Sequence, residues 1–252
     1  MQTTLFGSTT PTNGFRDSSF TKNKSLPLHR WVPWIAGFSA DFVEDAINKY
    51  LPARNPKSWV LDPFAGVGTT LAEAYLGGLN VVGFEINPYA ALATKIKLSA
   101  AEISASDLKK KIVAFERFMD RAEKGALKRE PRSKAPSGFS GRTQLFSPKV
   151  ERKVLHALDF INRIEDSVLR EVFRLGLGSV MIGFSNYSYE PSLTRRLAVG
   201  KPNIQDENVG RVVSAKLRLI LEDIAWVQEQ MARLEHRPKT RIFPKSIFAA
   251  LV

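Results

Sequence analysis

The chain has 252 residues, 44% of them hydrophobic, which suffices for one sizeable core or for a core with a smaller lobe. It holds no cysteine and only three scattered histidines, so disulfides and thiolate metal sites are excluded, no zinc-ligand spacing exists and no metal is expected. Net charge is +12, and the residues after position 100 carry 28 Lys and Arg against 18 Asp and Glu, whereas the first hundred carry 9 against 7. A basic excess concentrated in one part of a chain is the footprint expected for a polyanion partner. No run of eighteen apolar residues and no charged-then-apolar leader occurs, so no membrane partner is expected and the location expected is cytoplasmic.

Residues 1–27 are dominated by Thr, Ser, Asn and Gly and read as a flexible arm. Residues 28–39 crowd Trp31, Trp34 and Phe38 ahead of a helix pattern over 41–50, in which Val43, Ala46, Ile47 and Tyr50 share an apolar face and Ser39 can cap. An apolar strand ends at Trp59-Val60-Leu61 and runs into Asp62-Pro63-Phe64-Ala65-Gly66-Val67-Gly68-Thr69-Thr70, after which a helix covers 71–76 and stops at Gly77-Gly78. A strand that turns through Gly-x-Gly into a helix brings backbone N–H groups up to a ligand, because glycine has no Cβ and tolerates positive φ. Leu71 stands where a dinucleotide fingerprint needs its third glycine, and Gly-Lys-Ser/Thr occurs nowhere, so a pyrophosphate ligand is disfavoured. A second strand over 80–84 ends in Glu85, an acid suited to accepting hydrogen bonds from ribose hydroxyls. A helix over 89–100 closes this α/β unit, which spans 28–105. Two strands cannot bury both faces of a parallel sheet, so further strands or a helical lobe must cover it.

From Ser106, a candidate cap, the pattern turns helical: residues 107–127, 147–164, the nearly all-apolar 167–184 and the long 206–234. The basic stretch 128–141 reads as a connecting loop. Asn186, Tyr187 and Tyr189 with Arg195 and Arg196 form a polar loop held by the buried helix before it, able to stack on a base and grip phosphates. Residues 106–240 thus read as a basic, helical nucleic-acid recognition region. The tail, 241–252, reads as a short β-like piece and the start of a truncated segment.

Asp62-Pro63-Phe64-Ala65-Gly66-Val67-Gly68-Thr69-Thr70 with Gly83-Phe84-Glu85-Ile86-Asn87-Pro88 resembles motifs I and II of the S-adenosylmethionine-dependent DNA methyltransferases that modify exocyclic amino groups of adenine or cytosine. Residues 28–39 resemble motif X of the same enzymes. The resemblance implies a partial Rossmann-like methyltransferase core, an α/β fold with an incomplete parallel sheet and a large helical lobe. It implies S-adenosylmethionine as cofactor, lined by Phe38, Ser39, Asp62, Phe64, Ala65, Gly66, Gly68, Thr69, Thr70, Ile86 and Asn87, with Glu85 on its ribose. DNA is the implied partner, in restriction-modification, and RNA the alternative. The family holds its target amine with an Asp/Asn/Ser-Pro-Pro-aromatic loop, motif IV, which is absent from these residues; the catalytic residues are therefore unassigned. A truncated enzyme, a partner chain that supplies the loop, or a non-catalytic nucleic-acid-binding remnant would each account for that absence.

Overall fold

The computed structural model describes residues 15–34, 37–127, 129–134, 144–189 and 192–250. Along the chain lie α1 (Ala40–Tyr50), β1 (Trp59–Asp62), α2 (Thr69–Leu76), β2 (Asn80–Phe84), α3 (Pro88–Leu98), α4 (Ala105–Glu123), α5 (Pro148–Asn162), α6 (Ser167–Val180), β3 (Tyr187–Tyr189), β4 (Leu193–Arg195), α7 (Val209–Met231) and β5 (Thr240–Phe243). The fold is α/β, with a parallel three-stranded sheet and seven α-helices among the described residues. The chain divides into two compact units, the first comprising Met1–Arg30, Trp34–Thr94 and Leu234–Val252, the second Trp31–Pro33 and Lys95–Arg233.

The first unit carries the sheet, in the order β1-β2-β5. Trp59 pairs with Asn80 and Asp62 with Gly83, while Val81 pairs with Thr240 and Phe84 with Phe243, all in parallel. The third strand that a two-stranded sheet requires is therefore the β-like piece near the end of the sequence. Its register is set at both ends: Lys239 N donates to Asn80 Oδ1 at 2.8 Å, and Glu85 N donates to Phe243 O at 3.1 Å. The rings of Phe84 and Phe243 stack 5.0 Å apart, and the Arg241 guanidinium lies 5.1 Å over the Trp59 ring. On its other side β1 has no strand among the described residues, and Trp59 and Leu61 there are 39% and 52% exposed.

Ser39 caps α1, accepting from Phe42 N at 3.1 Å, and Val43 and Ile47 form its buried face. Within the stretch expected to be a loose arm, residues 15–27 are tied down, while residues 1–14 lie outside the described residues. Phe20 and Asn23 are buried, Asn23 donating to Phe38 O and accepting from Ala40 N. Arg16 clamps α1: its guanidinium reaches both oxygens of Asp45, Glu44 Oε2 at 2.6 Å and Asp41 O at 3.0 Å. These bonds hold the Asp45 carboxyl below its ordinary value, whereas burial pushes that of nearby Glu44 up.

A group held low in the folded state contributes stability above its unfolded pKa of about 4 and loses it as pH falls through the folded value. The raised Glu44 runs the other way, destabilising as pH rises, and Arg16 limits that cost. Arg16→Ala is therefore expected to lose about 1–3 kcal/mol at neutral pH, near the lower end for buried pairs because the network is partly open to solvent. The loss should shrink below about pH 4, as the carboxylates protonate. Urea unfolding at both pH values measures it; an equal loss at each would refute the electrostatic account.

The second unit is helical. Phe115 on α4, Phe160 on α5 and Phe173 on α6 meet with centroids 5.3–6.0 Å apart, and α7 buries Val213, Leu217, Ile220, Ile224 and Val227. Close helix approach needs glycine at two points: a Cβ on Gly176 would sit 2.8 Å from Leu217 Cδ2, and one on Gly210 2.6 Å from Met119 Cβ. Trp31, fully buried, donates to Asp223 on α7 at 2.8 Å.

Several boundaries differ from the sequence reading for local reasons. The cap of α4 is Ser104, which accepts from Asp107 N, rather than Ser106, and Gly125 at φ 64° ends that helix before Leu127. Asn208 caps α7 three residues inside the expected start at Asp206, by accepting from Arg211 N. The polar loop after α6 pairs as an antiparallel hairpin, β3 with β4, whose Glu190 and Pro191 lie outside the described residues. Lys128 and residues 135–143 of the basic stretch lie outside them as well.

Candidate cofactor site

The glycine turn joins β1 to α2 at the end of the sheet where the strands finish. Asp62 begins it by accepting from Phe64 N at 3.0 Å, an Asx turn that directs the chain away from the strand. Ala65 N then donates to Phe84 O, and Gly68 N to Ala65 O, so the turn is laced both to β2 and to itself. Gly66 and Gly68 have φ of 53° and 81°, the left-handed region that other residues enter only at a cost. Behind Gly68 stands Thr94 on α3, whose Oγ1 donates to Gly66 O at 2.9 Å and would lie 2.7 Å from a Cβ on Gly68. The glycines thus have two separate reasons, backbone conformation and the closeness of Thr94. Gly68 is also the N-cap of α2 and offers no side-chain acceptor, so no side chain of the cap takes the first-turn N–H groups.

Glu85, just past β2, closes the arrangement. Its Oε2 accepts from Gly66 N at 2.7 Å and its Oε1 from Asn87 N at 2.6 Å, so one carboxylate bridges the turn and the start of α3. An ionised carboxylate has about four lone-pair sites, and each oxygen keeps one free after these bonds. Asn87 Oδ1 in turn caps α3, accepting from Tyr89 N and Ala90 N. Asp62 and Glu85 therefore stand on adjacent strand ends, half-buried.

Around them lies apolar surface that a folded chain would ordinarily cover. Phe64 and Ile86 are each 72% exposed, while Ala65 and Thr69 are buried and Thr70 half-buried; Phe38, whose ring meets that of Phe42 on α1, is 53% exposed. The Thr69 hydroxyl is buried with no hydrogen-bond partner among the described residues. Trp34 comes close as well, its Nε1 3.5 Å from the Cβ position of Gly66. Ser39 is committed to structure: it is fully buried, caps α1 and donates to Asp17 O. Ile35 and Ala36 of the aromatic stretch lie outside the described residues. Sequence reasoning missed Thr94 and Asn23, which position the turn and the Phe38 segment; a threonine inside a helix and an asparagine in a polar arm carry no signal of either role.

The residues expected on nucleic acid belong to the second unit. Asn186 is buried and its amide is spent internally, donating to Gln144 O and accepting from Ile204 N. Arg196 Nε donates to Pro202 O at 2.8 Å. Tyr187 and Arg195 are cross-strand partners, and the hairpin presents Tyr189, Leu193 and Arg195 to solvent. The asparagine thus fixes the base of a hairpin whose strands, β3 and β4, expose Tyr189, Leu193 and Arg195.

Residues 12–95 match a family model described as DNA methylase. Among curated proteins, the chain is 31% identical over 90 residues to the Type II methyltransferase M.BsoBI of Geobacillus stearothermophilus, covering 36% of this chain and 17% of that protein. It is 40% identical over 70 residues to M.AvaI of Nostoc, 28% of this chain and 14% of that one. M.MjaII of Methanocaldococcus jannaschii is 29% identical over 82 residues, 32% and 15% of the two chains. The chain thus spans about a sixth of the length of these relatives. No solved structure matches it. The family match takes in the glycine turn, Glu85 and Thr94, and stops at α3.

Proposed function

Because residues 12–95 belong to the N6/N4 DNA methylase family, we propose that this chain binds S-adenosylmethionine on the glycine turn and serves methylation of an exocyclic amino group in DNA, in restriction-modification. One observation carries the reading: the carboxylate of Glu85 is already fixed against Gly66 and Asn87, within the matched stretch, beside exposed apolar side chains. On this reading the sheet and its flanking helices are part of a Rossmann-like methyltransferase core.

The residues present suit the cofactor. The free lone pairs of Glu85 accept the two ribose hydroxyls, and the left-handed glycines Gly66 and Gly68 fold the turn so that its backbone can face the ligand. Phe64, Ile86 and Phe38 offer apolar faces for the adenine ring, removing them from water. Thr70 and the uncapped first turn of α2 suit the amino-acid carboxylate, since helix N-termini favour anions. When bound, S-adenosylmethionine supplies an electrophilic methyl group on sulfur. The residues of this chain hold and orient it, and the loop by which the family grips the target amine is not among these 252 residues. The hairpin residues Tyr189 and Arg195, with Tyr187 and Arg196, are proposed to contact the DNA, while Asn186 holds the base of the hairpin in place.

Isothermal titration with S-adenosylmethionine, followed by gel shifts with duplex DNA and duplex RNA over a salt series, tests the reading. Saturable cofactor binding and a preference for DNA, with log K falling linearly in log salt, are expected. Absence of cofactor binding would sink it. Arg195→Ala combined with Arg196→Ala should weaken DNA binding and leave cofactor binding intact.

A further inference from the structure

A second concavity lies wholly inside the helical unit, away from the hairpin residues that the sequence singled out. It measures about 410 Å³ and is walled by Arg121, Arg129, Arg132 and Arg163, with His156 and Asp159 of α5 among its lining. The four arginines are exposed, and among the described residues none of their guanidiniums donates a hydrogen bond to another protein group. The acidic groups near them are largely occupied. Asp159 accepts from Arg132 N at 2.8 Å and Ser133 N at 2.7 Å, and Glu130 pairs with Arg152 at 3.0 Å. Burial opposes ionisation of Asp159, yet those N–H groups and the Arg163 charge hold its carboxyl below the ordinary value. Asp159 therefore acts as a brace: from a rigid helix it fixes the turn that carries Arg132.

The remaining lining gives the cavity its chemistry. His156 is 5% exposed, its ring has no hydrogen-bond partner among the described residues, and Phe118 meets it edge-on with centroids 6.5 Å apart. Burial pushes the His156 imidazole down from its ordinary pKa, so beside the four guanidiniums it offers one ring N–H as a donor. Guanidinium forks match phosphate oxygens two at a time, a planar geometry that a point-charge ammonium lacks. An inert solvated surface would leave these arginines scattered, with no buried histidine beneath them.

We propose that this cavity is a phosphate-ester site, in which Arg129, Arg132 and Arg163 grip the phosphate oxygens over His156. The source of the phosphate, a backbone phosphodiester of duplex DNA, rests on the function proposed above; a free nucleotide offers the same chemistry.

The full chain is tested with a fluorescently labelled DNA duplex by anisotropy over a salt series, and with 2′-deoxyadenosine 5′-monophosphate by isothermal titration. Arg129→Ala, Arg132→Ala and Arg163→Ala combined should weaken duplex binding about tenfold or more at low salt, and flatten the slope of log K against log salt by about one unit per lost contact. S-adenosylmethionine binding and melting temperature should be unchanged. Should the combined variant melt early, the single variants Arg129→Gln and Arg163→Gln, each on an exposed side chain, must show the same slope change one unit at a time. If the wild type instead binds the mononucleotide and the combined variant does not, while duplex affinity is unaltered, the site stands with a free phosphate ester as its ligand. A folded variant with unaltered affinity for both ligands overturns the proposal, as does a wild type that binds neither. Cofactor binding by the wild type reports separately on the function proposed above.

Discussion

Glu85→Ala is expected to abolish S-adenosylmethionine binding at concentrations that saturate the wild type. Hydrogen bonds to a charged acceptor contribute about 1.5–3 kcal/mol each, so losing the two proposed ribose contacts corresponds to a drop of roughly 100-fold or more. The substitution also removes the acceptor of Gly66 N and Asn87 N, leaving the turn and the start of α3 unbridged. Glu85→Gln keeps one good acceptor oxygen and should fall between the two. The hairpin and the arginine-lined cavity do not involve this residue, so duplex affinity should survive. Isothermal titration decides the matter: undiminished cofactor binding by Glu85→Ala would mean that the ligand lies elsewhere.

Gly68→Ala should be the more damaging change to the fold. At φ 81° an alanine is strained, and its Cβ would lie 2.7 and 2.8 Å from Oγ1 and Cγ2 of Thr94. Left-handed strain of about 1–2 kcal/mol and overpacking of about 1–3 kcal/mol together remove a large part of a typical domain stability. Two comparisons isolate the causes. Gly125→Ala, at φ 64° with nothing within 4 Å, should show the conformational cost alone, about 1 kcal/mol. Adding Thr94→Ala to Gly68→Ala should recover part of the loss by clearing the contact, a coupling read from a double-mutant cycle of urea unfolding. If Gly68→Ala is no worse than Gly125→Ala, the proximity of Thr94 is irrelevant.

The glycine turn was legible because its requirements are local: within nine residues, the Asx turn, two positive-φ glycines and a helix start are all written in adjacent side chains. Glu85 was legible for the same reason, at the end of the short apolar run Asn80–Phe84. What could not be read was long-range. That Thr240–Phe243 becomes the third strand depends on Asn80, Phe84 and Trp59, some 160 residues earlier in the chain, and no periodicity in the tail says which neighbour it will meet. The hairpin of Tyr187–Tyr189 and Leu193–Arg195 hid behind a proline and a run of polar residues that read as loop. Between Ser104 and Ser106 as the cap of α4, composition offers no choice; the geometry at Asp107 N makes it. The arginines at 121, 129, 132 and 163 read as surface and linker, because their convergence depends on how α4, the segment after it and α5 fold together.

The vacant flank of β1 has a directional consequence. Every strand in this sheet points the same way, and a hairpin cannot extend it in that sense, because parallel neighbours need a crossover or a separate molecule. A further strand joining there in the same sense would run alongside Trp59 and Leu61 and finish next to Asp62. Whatever residues came after it would emerge at the mouth of the Gly66–Gly68 bend, delivered by hydrogen-bond register alone.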